Sequence, residues 1–442
     1  MTAADLPRGT GPGQVWPAPA ARGPLNATVE VPGSKSLTNR FLVLAAMADA
    51  PVTIRGGLVS RDSELMIAAL TALGQDVDAS GDAWTVTPGP VRGNASVFCG
   101  LAGTVMRFVP PMVLLADGPV AFDGDPEARV RPMGPLLDAL RALGATVEDE
   151  GRGTLPFTVT PPAAIPAEVD VDSSASSQFV TGLLLVAARL PQGLTVRHTG
   201  ATLPSLPHID MTCETLRAAG VRVDQPDERT WIVHPGALEL GAVRVEPDLS
   251  NAGPFIAAPL VAGGTVRIPG WPSQTTQPGA LFPQILERMG ATCTLDGDVL
   301  SVSAPGLGAG GAAGIAGIDA DLSPAGEITP TIAALCALAS SRSVLSGIGH
   351  LRGHETDRLA AIAAEVERIG GRCVADDDSL TFDGLPASGL APAAMESYHD
   401  HRMATFAAII GLAVAGTEVV HVGTTAKTMP DFPAMWTEML GA

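Results

Sequence analysis

An internal repeat that occurs six times limits the fold of this chain more than any other feature of its sequence. In each copy, a helix-like segment ends in an apolar residue followed by glycine. The six glycines are Gly74, Gly144, Gly220, Gly290, Gly370 and Gly441, with spacings of 70, 76, 70, 80 and 71 residues. A strand-like segment follows the first five at once, as expected where glycine takes the left-handed conformation after a helix.

A second repeated element runs in step with the first and consists of a polar stretch, a very apolar helix, a small-residue turn and a short strand. The six copies cover residues 41–56, 107–124, 179–196, 255–270, 331–347 and 406–423. Helices that are apolar on all sides are buried inside a domain. The two elements together predict an α/β fold of six βαβαββ-like units, three in each of two domains, which suits a chain of 442 residues.

The overall charge limits the ligands that this chain can bind. With 27 basic and 46 acidic residues its net charge is −19, which disfavours nucleic acid or an anionic membrane as a partner. No apolar run approaches the roughly 18 residues that span a bilayer. The sequence therefore predicts neither a nucleic-acid surface nor a membrane segment, and any anionic ligand needs a local basic pocket.

Cysteine usage and the first residues of the chain bear on its compartment. The five cysteines are widely spaced and form no CxxC pair or Cys/His cluster, so we expect neither disulfides nor a structural zinc site. A reducing cytoplasm fits this pattern. Residues 1–24 are rich in proline, glycine and alanine without an apolar core, and we interpret them as a loose N-terminal tail rather than a targeting peptide.

Lysine is almost absent from this sequence. Only Lys35 and Lys427 occur, so the other 25 of the 27 basic residues are arginines. A lysine ammonium is a compact charge with an adjustable pKa, which a guanidinium cannot replace. The two positions are therefore candidates for a chemical role.

Seven motifs follow one another along the chain, and each contains polar residues next to a repeated helix. They are PGSKSLTNR at 32–40, LAGTVMR at 101–107, RPMGPLLDAL at 131–140, SSQF at 176–179, GHETDRL at 353–359, HDHRMA at 399–404 and TAKTMPDF at 425–432. On these motifs the chain resembles the enolpyruvyl transferase family, and in particular its shikimate-pathway branch. The resemblance covers the sequence from about Asn26 to Phe432.

This resemblance implies a two-domain inside-out α/β barrel. One domain would comprise residues 34–245, and the other residues 25–33 together with 246–442. The chain would cross between the domains near residues 31–35 and again near 246–248. The second domain would take its first strand from the N-terminal part of the chain, around residues 25–32.

The resemblance also implies a reaction. The family branch transfers the enolpyruvyl group of phosphoenolpyruvate to the 5-hydroxyl of shikimate-3-phosphate and releases phosphate, by addition followed by elimination. Asp321 would accept the hydroxyl proton, Glu355 would handle the methylene proton, and Lys35 would assist at the leaving phosphate. General acid–base help of this kind is worth about 10² to 10⁴ in rate for each group. The family needs no cofactor and no metal, and we expect a cytoplasmic monomer.

Substrate-binding residues follow from the same motifs. For phosphoenolpyruvate the resemblance implies Lys35, Gly103, Arg131, Gln178, Arg358, Arg402 and Lys427. For shikimate-3-phosphate it implies Lys35, Ser36, Arg40, Ser176, Ser177, Gln178, Ser205, Asp321, His350 and His354. Planar guanidinium groups suit the carboxylate and phosphate of these substrates because they pair with both in bidentate fashion.

Four positions depart from the family pattern, all on the binding side. His354 stands where a lysine is common, so its contact with the substrate would depend on protonation. His350 replaces a frequent asparagine and His208 a frequent tyrosine, while Leu101 removes an amide near phosphoenolpyruvate. From these changes we expect altered affinity and an unchanged reaction type.

Two alternatives stay open at this point. One is the sister enzyme that transfers enolpyruvyl to UDP-N-acetylglucosamine, but its family usually has asparagine where Ser36 follows Lys35, and a reactive cysteine in a loop that lacks one here at 123–132. The other is a non-catalytic sugar-phosphate-binding protein on the same scaffold. The presence of Asp321 and Glu355 favours an enzyme, because binding alone needs no such pair of acids.

Overall fold

The computed structural model describes residues 15–307, 314–385 and 389–441, and these form two compact units. The internal unit is Gly33–Glu246, and the split unit joins the residues up to Pro32 with those from Pro247 onward. Elements are numbered along the chain. The split unit begins with two short strands, β1 (Val15–Pro17) and β2 (Leu25–Thr28). Among the described residues, no helix has the length and apolar character needed to cross a membrane.

The internal unit contains six helices and twelve strands. Its helices are α1 (Lys35–Ala46), α2 (Arg61–Ala72), α3 (Gly103–Phe108), α4 (Gly134–Ala142), α5 (Gln178–Ala187) and α6 (Leu206–Ala218). Its strands are β3 (Val52–Arg55), β4 (Asp76–Asp78), β5 (Ala83–Thr87), β6 (Ala95–Phe98), β7 (Val120–Asp123), β8 (Thr146–Glu148), β9 (Phe157–Thr160), β10 (Glu168–Val171), β11 (Leu194–His198), β12 (Val223–Asp227), β13 (Thr230–Val233) and β14 (Ala242–Arg244).

These strands form three four-stranded sheets, ordered β14-β3-β5-β4, β6-β7-β9-β8 and β10-β11-β13-β12. In each sheet the first pair is parallel and the others are antiparallel. The run β10-α5-β11-α6-β12-β13 is one complete βαβαββ unit. The sheet that contains β3 obtains its parallel first strand, β14, from the end of the unit.

The apolar helices α1, α3 and α5 form the core of the internal unit. Asn39 of α1 donates to Thr104 Oγ1 of α3 at 2.7 Å. A side chain at Gly182 of α5 would place its Cβ 2.1 Å from the carbonyl oxygen of Arg107 in α3, so only glycine allows this close approach. These contacts pack α3 directly against α1 and α5.

The split unit repeats this plan. Its helices are α7 (Leu249–Ala262), α8 (Phe282–Arg288), α9 (Thr329–Ala337), α10 (Arg358–Arg368), α11 (His401–Ala413) and α12 (Phe432–Met439). Its further strands are β15 (Gly264–Pro269), β16 (Thr292–Asp296), β17 (Val299–Ala304), β18 (Asp319–Asp321), β19 (Ser343–Ser346), β20 (Cys373–Ala375), β21 (Ser379–Phe382), β22 (Ala394–Glu396) and β23 (Glu418–Val420). They form the sheets β2-β15-β17-β16, β18-β19-β21-β20 and β1-β23-β22.

Three apolar helices and three sheets in each unit confirm the predicted inside-out α/β barrel built from six repeats. All six repeat glycines have positive φ, between 66° at Gly441 and 111° at Gly290. The first strand of the sheet around β15 is β2, paired in parallel, as the sequence predicts for the region near residues 25–32. The second repeat differs locally, because Pro110 and Pro111 end α3 early and a 3₁₀ helix continues to Leu115.

The predicted loose tail is wrong for its last ten residues. Strand β1 pairs antiparallel with β23, and the side chain of Ala18 is only 5% exposed. Gly411 of α11 makes room for it, since a Cβ there would lie 2.5 Å from the Ala18 Cβ. Composition alone does not indicate this strand, because its partner lies some 400 residues further along the chain. Residues 1–14 of the predicted tail lie outside the described residues.

Candidate functional site

The Glu355 carboxylate lies at the centre of a charged cluster in the split unit. Its Oε1 is 2.6 Å from Lys427 Nζ, at the end of a 3₁₀ helix (Val422–Lys427). Its Oε2 is 3.1 Å from Nδ1 of His401, the first residue of α11. The Glu355 side chain is 11% exposed, so these contacts form with little solvent around them. One carboxylate is thus held by two potential proton donors.

A second, deeper ion pair borders this cluster. Arg358 Nε donates to Asp400 Oδ2 at 2.7 Å, and their side chains are 2% and 0% exposed. Asp400 also caps α11, because its Oδ1 accepts the backbone N–H of Arg402 at 2.8 Å. Removal of one member of such a buried pair leaves the other charge uncompensated. Asp400 therefore holds the Arg358 guanidinium and the first turn of α11 in place.

The charges around Glu355 decide its protonation. Burial raises the pKa of Glu355, but the Lys427 charge, the hydrogen bond with His401 and the Arg358 charge outweigh it and hold the pKa well below its ordinary value. Burial lowers the pKa of His401, although the Glu355 carboxylate opposes that shift. His401 Nε2 is buried and has no hydrogen-bond partner among the described residues. In the ligand-free protein Glu355 is consequently an ionised carboxylate beside a neutral imidazole.

The same cluster has the composition of a metal site. Ligand atoms of Glu355, Asp400 and His401 lie within 4.8 Å of one another. However, the carboxylate oxygens already contact Lys427 and Arg358, so a divalent cation would meet two positive charges there. The donor set therefore does not fit a metal ion, and the expectation of a metal-free site stays a prediction.

Of the other predicted residues of the split unit, Arg402 lies in the first turn of α11, while Asp321, His350 and His354 lie outside helices α7 to α12. Asp321 ends β18 and is exposed, and its Oδ1 accepts the Ser323 N–H at 2.8 Å. The rings of His350 and His354 are 5.8 Å apart, and His354 Nδ1 is 3.4 Å from an Arg358 nitrogen. Burial lowers the pKa of His350, with Arg358 acting in the same direction and Asp378 opposing it. Near neutral pH, therefore, His350 is an uncharged hydrogen-bonding group.

In the internal unit, Lys35 and Ser36 form the first turn of α1. Ser34 caps this helix and accepts the Leu37 N–H at 3.4 Å. Lys35 Nζ is 3.5 Å from Oδ2 of Asp62, a buried residue in the first turn of α2. The lysine side chain is 21% exposed, so its ammonium is oriented by one carboxylate while remaining open to a ligand.

Arg40 occupies a different environment from the one expected for a substrate ligand. It is 1% exposed and donates through Nε to Thr212 Oγ1 at 2.8 Å and through its terminal nitrogens to the carbonyls of His208 and Ser36. These bonds tie α1 to α6. The structure thus shows a structural use of Arg40 that its place in the PGSKSLTNR motif did not indicate.

Two guanidinium groups meet at Gly103, the first residue of α3. A Cβ there would lie 3.1 Å from an Arg107 nitrogen and 3.2 Å from an Arg131 nitrogen. Arg107 is 3% exposed, lies over the Phe179 ring and forms no ion pair within residues 15–307. Burial and the neighbouring charge of Arg131 lower the pKa of Arg107 well below its ordinary value. The Arg107 guanidinium is therefore suited to an anion.

The predicted hydroxyl and amide ligands lie at the starts of α5 and α6. Ser176 and Ser177 directly precede Gln178, the first residue of α5, and Ser176 Oγ accepts the Gln178 N–H at 3.3 Å. Ser205 precedes α6 with a left-handed φ of 56° and makes no capping bond through its side chain. Ser177 makes none either, so no side-chain cap closes the start of either helix, although the Gln178 N–H is already bonded to Ser176.

Sequence reasoning assigned no role to three groups that the structure places in these clusters. Arg107, Asp400 and His401 all lie inside motifs that were recognised, namely LAGTVMR and HDHRMA. Their contacts depend on residues far away in the chain, such as the 42 positions between Arg358 and Asp400. The signal in the sequence that could have indicated these three residues was a polar residue next to the start of an apolar segment.

Comparisons with known proteins agree with the recognised motifs. A family model described as EPSP synthase (3-phosphoshikimate 1-carboxyvinyltransferase) matches residues 19–436. The chain is 54% identical over 441 residues to the curated 3-phosphoshikimate 1-carboxyvinyltransferase of Bifidobacterium longum (strain DJO10A), with 96% of this chain and 98% of that one covered. It is 51% identical over 441 residues to the protein of the same name from Kocuria rhizophila, with 97% of each covered.

Solved structures show the same fold at much lower identity. EPSP synthase from Acinetobacter baumannii superposes with a TM-score of 0.80 at 23% identity, covering 97% of this chain and 98% of that one. The enolpyruvyl transferase NikO from Streptomyces tendae gives a TM-score of 0.72 at 20% identity, with the same coverage. These two likenesses support the architecture, while the sequence relatives bear on the activity.

Proposed function

Because this chain belongs to the EPSP synthase family, we propose that it transfers the enolpyruvyl group of phosphoenolpyruvate to the 5-hydroxyl of shikimate-3-phosphate. The observation that carries the proposal is 54% identity over nearly the full length to a curated 3-phosphoshikimate 1-carboxyvinyltransferase. No described feature favours UDP-N-acetylglucosamine as acceptor or a purely binding role.

The reaction requires two proton transfers in its first step. The 5-hydroxyl oxygen adds to the carbon of phosphoenolpyruvate that bears the phosphate, and the hydroxyl proton passes to a base, which we assign to Asp321. At the same time the methylene carbon gains a proton, and we assign Glu355 as its donor. In the second step the methyl carbon returns a proton and the carbon–oxygen bond to phosphate breaks, so that inorganic phosphate leaves.

The contacts of Glu355 support this assignment. As an ionised carboxylate it must first gain a proton before it can give one to the methylene carbon. The Lys427 ammonium lies 2.6 Å from one of its oxygens and can supply that proton, while the neutral His401 ring holds the other oxygen at 3.1 Å. At elimination the methyl proton returns to Glu355 and passes back to Lys427, so that the cluster regains its resting charges. The carboxylate thus serves as acid in one step and base in the next.

Anion binding is assigned to cations in each unit. In the split unit we propose Arg358, Arg402 and Lys427 as ligands of phosphoenolpyruvate, with Arg358 oriented by Asp400. In the internal unit we propose Arg131 and Lys35, next to Gly103, whose lack of a side chain lets an anion approach the backbone. The absence of an ion pair at Arg107 supports this, because a bound anion would compensate the two guanidinium charges.

Shikimate-3-phosphate binding is assigned mainly to hydroxyls and amides of the internal unit. We propose Ser36, Ser176, Ser177, Gln178 and Ser205 as its hydrogen-bonding partners. Lys35 provides a charge there, and Arg40 stays in the proposed set because each terminal nitrogen of a guanidinium carries two N–H groups. From the split unit we propose Asp321, His350 and His354.

The test is the release of inorganic phosphate from phosphoenolpyruvate with three acceptors in parallel: shikimate-3-phosphate, UDP-N-acetylglucosamine and none. We expect turnover only with shikimate-3-phosphate. Turnover only with the UDP-sugar would replace the proposal by its alternative, and release without any acceptor would indicate hydrolysis. A fourth arm with excess chelator should keep the full rate, because the cations of the cluster already pair with its carboxylates.

We further propose that the chain acts as a monomer in the cytoplasm, with no nucleic-acid or membrane partner. The net charge of −19 and the free cysteines Cys99, Cys213, Cys293, Cys336 and Cys373 support this. Sedimentation velocity across a tenfold concentration range tests the first part. A second, faster species that grows with concentration would contradict the monomer.

A further inference from the structure

His198 is a buried histidine that no part of the proposed mechanism uses. It ends strand β11 and is 4% exposed. Its Nδ1 accepts the backbone N–H of Ser173 at 3.1 Å, in the loop between β10 and α5. Because a backbone N–H can only donate, this nitrogen must carry a lone pair, so the neutral ring has its hydrogen on Nε2. Protonation at Nδ1 would remove the acceptor.

A chain of hydrogen bonds connects this imidazole to predicted substrate ligands. The Ser173 carbonyl accepts the N–H of Ser176 at 3.1 Å. The Ser176 hydroxyl oxygen in turn accepts the N–H of Gln178 at 3.3 Å, which is the first residue of α5. Each link fixes the backbone of the next, so the position of Ser173 determines where Ser176, Ser177 and Gln178 lie.

A second loop packs against the same point. A Cβ at Gly200 would lie 2.1 Å from both Asp172 Oδ1 and Ser174 Oγ, and 2.7 Å from Cε1 of His198. No side chain fits there, so the backbone of the loop after β11 rests directly on the loop before α5. That second loop leads from Gly200 to Ser205 at the start of α6. His198 and Gly200 therefore lie at a point that contacts both segments that carry the predicted serine ligands.

The packing of the ring excludes a simple core role. His198 Nε2 is buried without a hydrogen-bond partner among the described residues, which is unfavourable for a polar group. A leucine or isoleucine at this position would bury apolar surface without that cost. What histidine adds over these apolar residues is the acceptor at Nδ1, which indicates that the contact with Ser173 is the reason for its presence.

We propose that His198 is a positioning residue for the phosphorylated acceptor substrate. Its neutral imidazole holds Ser173, and through it the Ser176–Gln178 segment, while Gly200 seats the segment that leads to Ser205. This inference rests on the proposed function for the identity of the acceptor. The distances around His198 and Gly200 do not depend on the proposed function.

The test compares three substitutions by steady-state kinetics. His198→Leu removes the acceptor and should raise KM for shikimate-3-phosphate about tenfold, the factor that matches loss of one ordinary hydrogen bond. KM for phosphoenolpyruvate and kcat should change little. His198→Asn places its Oδ1 the same number of bonds from Cα as the histidine Nδ1, so it should restore KM. His198→Gln places its oxygen one bond further and should not.

A matched control is His234→Leu in the same unit, where a partly exposed histidine pairs with Asp224. It should leave both KM values unchanged. An unaltered KM for shikimate-3-phosphate in His198→Leu would overturn the proposal, as would equal behaviour of the Asn and Gln variants. If His198→Leu fails to fold, the Asn and Gln pair still decides the matter.

Hydrogen exchange separates this inference from the proposed function. The amide of Ser173 should exchange faster in His198→Gln than in the wild-type protein, and His198→Asn should restore its protection. This readout needs no substrate. If wild-type protein does not use shikimate-3-phosphate, the proposed function fails, whereas unchanged exchange at Ser173 would show that the imidazole does not hold the loop.

Discussion

The charged groups of the split unit and those of the internal unit are compensated to different degrees. In the split unit, Lys427 pairs with Glu355 and Arg358 pairs with Asp400, at 2.6 Å and 2.7 Å. In the internal unit, Arg107 and Arg131 both face Gly103, and Arg107 has no carboxylate partner in the described part of that unit. The cluster in the split unit therefore holds its charges in balance without ligand, whereas Arg107 in the internal unit has no such partner.

This difference suggests a division of labour between the two sets of residues. Balanced, hydrogen-bonded carboxylates suit proton transfer, because the proton has neighbouring sites to move between. A buried guanidinium without a carboxylate partner, such as that of Arg107, suits binding, since an arriving anion would offset the burial and the repulsion from Arg131 that lower its pKa. The cost of keeping such a charge buried falls on the stability of the ligand-free protein.

The largest effect should come from Glu355→Gln, which keeps the shape of the side chain and removes its proton chemistry. We expect kcat to fall by about 10² to 10⁴, the range for loss of a general acid–base group. Phosphate release at saturating substrates measures it. Glu367→Gln, at an exposed position on the following helix α10, is the matched control and should keep the wild-type rate. A rate near wild type for Glu355→Gln would end the proposed role.

A pair of arginine substitutions should sharpen the comparison. Arg358→Met leaves Asp400 buried without its partner and should lower the free energy of unfolding by about 3–5 kcal/mol. Arg107→Met removes an uncompensated charge and should leave that free energy unchanged or raise it. Urea unfolding of both variants at pH 7.5 provides the measurement. Equal destabilisation by the two changes would show that the internal unit compensates Arg107 after all.

A smaller effect is expected in acid. Since the folded protein holds the pKa of Glu355 below its ordinary 4.5, the ionised carboxylate stabilises the fold above about pH 4.5. That contribution is lost as the pH falls through the folded-state pKa. The gap in unfolding free energy between wild type and Glu355→Gln should therefore be constant near neutral pH and narrow below 4.5.

The matching experiment in the internal unit uses Arg107→Met. Arg107 has no carboxylate partner in the described part of the internal unit. The difference in unfolding free energy between the wild type and Arg107→Met should therefore not narrow over the same acid range. Chemical unfolding at several pH values measures both gaps. If the two narrow alike, the acid response belongs to the protein as a whole rather than to the cluster around Glu355.

Local patterns in the sequence were enough to predict most of the fold. Glycines such as Gly144 and Gly370 end helices by their own backbone preference, and apolar helices such as α5 are buried wherever they lie. The strand Val15–Pro17 was missed because three residues have no periodicity of their own and depend on β23 for pairing. The early end of α3 was open to prediction from Pro110 and Pro111.

For the site, a motif indicated which residues matter but not what each contacts. Arg40 shows the limit, since the same motif that suggested a ligand places it against Thr212, 172 residues away. His198 shows the opposite case. It lies in no motif, and only the distance to Ser173 reveals its connection to the serine loop. Contacts between distant segments are not encoded in any local pattern.

The pairing of β1 with β23 has a practical consequence for anyone preparing this protein. Trimming the chain back to residue 24 on the basis of its proline- and glycine-rich composition would delete an edge strand and uncover the groove at Gly411. Strand β23 leads directly into the 3₁₀ helix that ends at Lys427, so the damage would reach an ammonium assigned to the reaction. An affinity handle is therefore best attached ahead of residue 15, with the native segment left whole.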